Sequence, residues 1–233
     1  MLDLRSKFPD YYQYHGRNIS KKLSSLNVRI LNHYYSKYSL DKKILSVSSK
    51  MTTEQLLQST LFKKIIIEVG FGDGEHLIES ALSNPKDLFV GSEVYVNGVA
   101  KVLKQILEHN IKNIRICGMN FVYLLNTLNH NSIDELKIIN PDPWHKKRHF
   151  KRRLINLENI IKINGIVKNK YASYITTDSE SYFNYIDNIF SSNSKIIHKN
   201  KNKILSKNDR LYGVSRYQRK AIENGKKIYQ LTF

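Results

Sequence analysis

The chain reads as an α/β protein built on a doubly wound, mostly parallel sheet. Three observations predict this. From residue 63 onward, short β-branched runs alternate five times with helix-like stretches; three glycines crowd the turn after the first run; and the fourth run ends at a proline corner, where ligands of such sheets bind.

Taken in order, residues 1–50 are basic and rich in tyrosine (Tyr11, Tyr12, Tyr14, Tyr34, Tyr35, Tyr38) and show no clear apolar period. They are expected to form an arm that orders late or on a partner, leaving 51–233 as the folded domain. The β-branched runs at 65–69, 88–94, 113–117, 135–140 and 171–176 predict strands. The stretches at 75–83, 96–109, 121–128, 154–163 and 179–190 predict the intervening helices. Residues 195–199 and 228–233 could add two edge strands, with a basic loop at 215–220 between them. A length of 233 residues suits one well-buried domain better than two.

The formal net charge is +18, and its distribution matters more than its size. Residues 1–50 carry 10 basic and 3 acidic groups, 145–153 carry 6 and 0, and 195–233 carry 11 and 2, whereas 51–144 carry 8 and 11. Three basic regions around a nearly neutral core suggest a nucleic-acid footprint. Biased genome composition explains abundant Lys, Asn and Ile but not their segregation. A single Cys allows no intrachain disulfide, no apolar run approaches 18 residues, and the first residues lack a signal-peptide core, so a cytoplasmic protein with no membrane partner is expected. His145 and His149 stand four apart but among cations that would repel a divalent metal, so no metal site is expected.

Chemistry concentrates at the ends of the predicted strands. Gly70, Gly72 and Gly74 let the backbone turn tightly and a ligand approach closely. Their G-x-G-x-G spacing departs from the dinucleotide fingerprint, and Glu68 and Asp73 would repel a pyrophosphate, so an adenosyl group without phosphates fits better. Glu93, at the end of the second strand, is placed to accept from both hydroxyls of a ribose; the plainer alternative is a solvated strand end. Asn120 could bond an adenine edge, or simply cap the helix it precedes. Asp142 stands between Pro141 and Pro143 in a stiff corner before Trp144. Lys146, Lys147, Arg148, Lys151, Arg152 and Arg153 then read as a phosphate-binding surface, against the alternative of a solvated helix face.

With these residues in view, the chain resembles the bacterial tRNA (guanine-N7-)-methyltransferases over about residues 64–233. The likeness rests on Glu-Val-Gly-Phe-Gly-Asp-Gly-Glu-His-Leu (68–77), Ser-Glu-Val-Tyr (92–95), Pro-Asp-Pro-Trp-His-Lys-Lys-Arg-His (141–149), Thr-Asp-Ser-Glu-Ser-Tyr (177–182) and Ser-Arg-Tyr-Gln-Arg (215–219). The element at 141–149 is highly specific; the glycine loop alone marks only the wider class of S-adenosylmethionine enzymes. The resemblance implies a Rossmann-like class I methyltransferase fold that methylates a variable-loop guanosine, nucleotide 46 of tRNA. It implies that Glu68, Gly70, Gly72, Glu93, Asn120 and Asp142 line the S-adenosylmethionine site, with Asp142 catalytic. Lys146, Asp178, Ser215, Arg216, Tyr217 and Gln218 would face the tRNA guanosine.

The chain departs from the family where Asn120 stands for the usual Asp, where Ser215-Arg216-Tyr217-Gln218 stands for Thr-Lys-Phe-Glu, and where the family has a His and a Pro near Tyr95 and Asn97. Two other readings fit the residues: methylation of a different RNA base, or an RNA-binding protein that keeps the fold without the activity. The oligomeric state, monomer or homodimer, is open.

Overall fold

In the computed structural model, which describes residues 1–13, 22–46, 52–168, 173–193, 196, 203–205 and 216–233, strand β1 (Ile65–Val69) lies inside the sheet. On one side it pairs in parallel with β2 (Leu88–Ser92), and β2 with β3 (Ile114–Cys117). On the other it pairs in parallel with β4 (Glu135–Ile139), which pairs with β5 (Tyr174–Thr177). Two antiparallel strands, β6 (Lys203–Leu205) and β7 (Ile228–Thr232), follow. The order β3-β2-β1-β4-β5-β7-β6 reverses direction between β1 and β4. In such sheets ligands bind outside the carboxyl ends of the two strands at that switch point.

Helices cover both faces because the central strands are apolar on both. In β1, Ile65, Ile67 and Val69 enter one core and Ile66 the other. The chain before the sheet forms α1 (Leu2–Lys7), a 3-10 turn (Pro9–Tyr12), α2 (Ser25–Tyr38), α3 (Asp41–Leu45) and α4 (Thr53–Leu57). The connections between strands supply α5 (Glu75–Ser83), α6 (Val96–Glu108), α7 (Phe121–Leu125), α8 (Leu157–Ile166) and α9 (Glu180–Ser191), and α10 (Arg216–Glu223) precedes β7. Residues of α2, α5 and α6 fill the Ile66 side; residues of α4, α7, α8 and α9 fill the other.

The five predicted strand–helix alternations are all present, with ends displaced for identifiable reasons. The helix expected at 154–163 starts at Leu157, because the side chain of Asn156 accepts the Asn159 N–H at 2.9 Å and caps it there. The helix expected at 121–128 stops at Leu125, and the Thr127 hydroxyl takes the Leu124 carbonyl at 2.7 Å. The strand expected at 88–94 ends at Ser92, just before Glu93 turns to other partners. Of the strand expected at 171–176, residues 171 and 172 lie outside the described residues, as does the edge strand expected at 195–199 apart from Ile196.

Two expectations are corrected. The basic stretch at 216–220 is helical, not a loop: α10 buries Gln218 and Ala221 and ends in a Schellman turn, with Gly225 N–H on the Ile222 carbonyl and Lys226 N–H on the Ala221 carbonyl. Ser215 lies outside the described residues. The described parts of residues 1–50, expected to order late or on a partner, are mostly helical, and Tyr12, Ile30, Leu31, Tyr35, Tyr38, Leu40 and Ile44 are core residues. Tyr14 and the rest of 14–21 lie outside the described residues. Ser39 bridges Ile116, so this segment borders β3. Its apolar period is hard to see because tyrosines supply much of the buried face, and their hydroxyls need a buried acceptor.

Candidate active site at the strand ends

The glycine loop and Glu93 form one unit. Gly70 and Gly72 have φ of +73° and +57°, left-handed values that favour glycine, and a Cβ on either would meet nothing within 4 Å. The space beside the loop is therefore open to a ligand. Glu93 clasps the loop from the end of β2: one carboxylate oxygen accepts the Gly72 N–H at 2.8 Å and the other accepts the Tyr95 N–H at 2.8 Å. A carboxylate offers about four acceptor positions, so these bonds, with the Val94 N–H beside them, still leave acceptor capacity for a ligand. A carboxylate held in a fixed direction suits the hydroxyls of a ribose. Burial raises the Glu93 pKa; the N–H groups of Tyr95, Gly72 and Val94 oppose that shift, and the negative charge of Asp142 reinforces it. Asp142 is therefore near enough for its charge to act on Glu93. Gly98 secures the loop from behind, since a Cβ there would lie 2.0 Å from the Gly72 carbonyl oxygen.

Residues 1–13 wall the neighbouring side, which the sequence did not reveal. Arg5 donates to the Val94 carbonyl at 2.7 Å, directly after Glu93. The Asn120 N–H donates to the Tyr11 carbonyl at 2.8 Å, and its side-chain amide donates to the Gln13 carbonyl at 3.2 Å. Its side-chain oxygen accepts the Val122 N–H at 3.1 Å, so Asn120 is the cap of α7. An Asp here could not donate to Gln13, which gives the departure from the family pattern a physical reason. The segment is pinned by Asp41, fully buried, which accepts the Tyr12 hydroxyl at 2.7 Å, the Tyr35 hydroxyl and the Gly118 N–H at 2.9 Å. Burial raises the Asp41 pKa, and the hydrogen bonds from Tyr35, Tyr12, Gly118 and Ser39 work against that rise.

The Pro-Asp-Pro corner leaves the sheet between two left-handed residues, Asn140 at φ +49° and Trp144 at φ +45°. A bulky residue in that region costs about 1 to 3 kcal/mol, so surrounding contacts must hold it. The Arg152 guanidinium lies 5.3 Å from the Trp144 ring centre and His149 meets the ring edge-on at 5.7 Å. Asp142 is exposed at the tip. Of the six cations expected to bind phosphate, Lys146, Lys147, Arg148 and Lys151 are exposed. Arg153 departs from that expectation: it is 6% exposed and its Nε donates to the Pro143 carbonyl at 2.8 Å.

The other expected site residues are placed as follows. Glu68 is buried below the glycine loop and bonds His76 Nδ1 at 2.6 Å, with the Tyr174 hydroxyl 3.4 Å from His76 Nε2. Asp73 pairs with Lys101 at 2.6 Å. Asp178 pairs with Lys226 at 3.0 Å. Lys146 is exposed beyond the corner. Gln218 is 4% exposed and donates to the Thr176 hydroxyl at 3.1 Å, which reaches the Asn140 side chain at 3.5 Å. It thus supports the corner from beneath. Arg216 and Tyr217 open α10, and their side chains lie outside the described residues. Among the described residues no three His, Cys, Asp or Glu side chains gather as a metal site, and no helix is long and apolar enough to cross a membrane.

Residues 62–231 match a family model described as "Putative methyltransferase". The chain is 36% identical over 187 residues to a tRNA (guanine-N(7)-)-methyltransferase of Buchnera aphidicola subsp. Acyrthosiphon pisum, covering 75% of each protein. It is 36% identical over 209 residues to a bifunctional methyltransferase of Rickettsia felis, covering 90% of this chain but only 37% of that longer protein. A solved antibiotic-related methyltransferase shares the fold with a TM-score of 0.56 at 15% identity, over 80% of this chain and 96% of that one.

Proposed function

This chain belongs to the tRNA (guanine-N7-)-methyltransferase family, and from that premise we propose that it transfers a methyl group from S-adenosylmethionine to N7 of a guanosine in tRNA. The variable-loop guanosine, nucleotide 46, is the proposed target, and the cytoplasm the proposed place of action. Glu93 carries the reading: its carboxylate is fixed at the end of β2 by backbone N–H groups, keeps acceptor capacity for a ligand, and clasps a loop with open space at Gly70 and Gly72. These residues suit an adenosyl group without phosphates. S-adenosylmethionine, when bound, supplies an electrophilic methyl group.

In this reading Gly70, Gly72 and Glu93 hold the nucleoside portion, Asn120 borders the adenine side and Glu68 supports the loop from below. Asp142 acts at the substrate. Guanine N7 carries an in-plane lone pair and no proton, so it needs alignment rather than a general base. Alignment can contribute roughly 7 to 11 kcal/mol. The Asp142 carboxylate orients the purine and stabilises positive charge arriving on it. Lys146, Lys147, Arg148 and Lys151 hold flanking phosphates, while Asp178 and residues 215–218 shape the guanosine side, Gln218 acting through Thr176. Residues 51–233 form the catalytic unit in this proposal, and residues 1–13 border its cofactor side.

The test is incubation with labelled S-adenosylmethionine and unmodified tRNA, followed by nucleoside analysis. Label in 7-methylguanosine is the expected result. Label in another base would shift the substrate assignment. No transfer despite cofactor and tRNA binding would leave a binding protein with a methyltransferase fold.

A further inference from the structure

We propose that Arg153 is a positioning residue: it fixes the Pro-Asp-Pro corner, and with it the Asp142 carboxylate, and it does not bind phosphate. The inference rests on the reading of Asp142 as the group that acts on the substrate. Arg153 ends a run of cations whose other members reach solvent to various degrees, yet it is buried, and its surroundings explain why. Its guanidinium lies 3.7 Å from the ring centre of Phe150, 4.5 Å from Tyr185 and 4.8 Å from Tyr182. Three aromatic faces can stabilise a cation removed from water. From inside this cage Nε–H donates to the Pro143 carbonyl at 2.8 Å.

That carbonyl belongs to the residue after Asp142, and the bond comes from the far end of the loop. The corner cannot hold itself. Pro141 and Pro143 have no N–H to donate, and the left-handed Asn140 and Trp144 strain the backbone on either side. Arg153 therefore ties the corner to α9, which carries Tyr182 and Tyr185. Only a guanidinium can donate sideways through Nε while its plane stacks on rings; a lysine ammonium cannot do both. Loosening this tie would let Asp142 drift, and a displacement near 1 Å at a reacting group can cost about 100-fold in rate.

The lone tryptophan, Trp144, sits in this corner and reports on it directly. We would compare Arg153→Gln, Arg153→Lys and Tyr185→Leu with wild type and with Lys151→Ala, all as full chains checked for cooperative unfolding above the assay temperature. The readouts are kcat and KM for tRNA, the salt dependence of tRNA binding, and acrylamide quenching of Trp144 fluorescence. Positioning predicts that both Arg153 variants and Tyr185→Leu lose kcat by about ten- to 100-fold with little change in KM, and raise Trp144 quenching. It also predicts that the salt slope of Arg153→Gln matches wild type, whereas Lys151→Ala flattens it.

A flattened slope for Arg153→Gln with unchanged Trp144 quenching would make Arg153 a phosphate ligand and overturn the proposal. Unchanged kcat and quenching would overturn it too. If Arg153→Gln does not fold, Arg153→Lys and Tyr185→Leu decide by the same readouts. If the wild type methylates no tRNA nucleoside, the functional reading fails, but slope and quenching still judge the Arg153 tie.

Discussion

Replacing Glu93 with Gln separates a residue built for stability from one built for a ligand. In the folded chain the carboxylate takes the Gly72 and Tyr95 N–H groups at 2.8 Å each. Gln keeps one of these bonds and turns an NH2 group toward the other N–H, so about one charge-assisted bond is lost, roughly 1.5 to 3 kcal/mol. Against this, burial raises the Glu93 pKa, which means that the fold resists its charge, and Gln removes the charge. The two effects oppose each other, and global stability should change by only about 1 kcal/mol. No such offset exists for the ligand, which loses a charged acceptor. Cofactor affinity should fall by the full 1.5 to 3 kcal/mol, about ten- to 150-fold. Calorimetric titration with S-adenosylmethionine, beside urea unfolding of the free protein, measures both.

The pH dependence gives a second arm. Because the folded pKa is raised, Glu93 contributes stability that is present below its unfolded pKa and lost as pH rises through its folded pKa. Wild type should therefore gain stability relative to Glu93→Gln on acidification. Its cofactor affinity should decline over the same window, since the ionised form is the better acceptor, while the variant stays flat. An unchanged dissociation constant together with a large loss of stability would refute the reasoning and make Glu93 only a clasp for the glycine loop.

Asp142→Ala should remove most methyl transfer while tRNA affinity, measured by filter binding, stays within a few-fold, because no phosphate contact is lost; near-normal turnover would dismiss Asp142. The triple change of Lys146, Lys147 and Arg148 to Ala should flatten the log–log salt slope of tRNA binding by about 2 units, and an unchanged slope would move the tRNA to another face. Asp41→Ala leaves the Tyr12 and Tyr35 hydroxyls and the Gly118 N–H without their acceptor, so chemical denaturation should show a loss of about 3 kcal/mol or more. It should also weaken cofactor binding, because residues 1–13 contact Val94 and Asn120. Full cofactor affinity in a folded Asp41→Ala variant would separate the N-terminal wall from the site.

What the sequence determined by itself was local or periodic. The alternation of strand and helix, the glycines of the loop, the proline corner and the segregation of charge are all visible along the chain, and the glycines and the corner directly follow β1 and β4. Glu93 and Asp142 could be singled out for the same reason: in a parallel sheet, ligands bind outside the carboxyl ends of the strands, and both residues stand just past such ends. Other roles depend on partners distant in sequence. Asp41 meets Gly118 and Tyr12 across 77 and 29 positions, Gln218 meets Thr176 across 42, and Arg5 meets Val94 across 89. Arg153 looked like one more cation in a basic run, because charge is visible in a sequence and burial is not. Only the packing of α9 against the corner put aromatic rings around it, and that tertiary arrangement made a residue read as a phosphate ligand into a brace for the loop that carries Asp142.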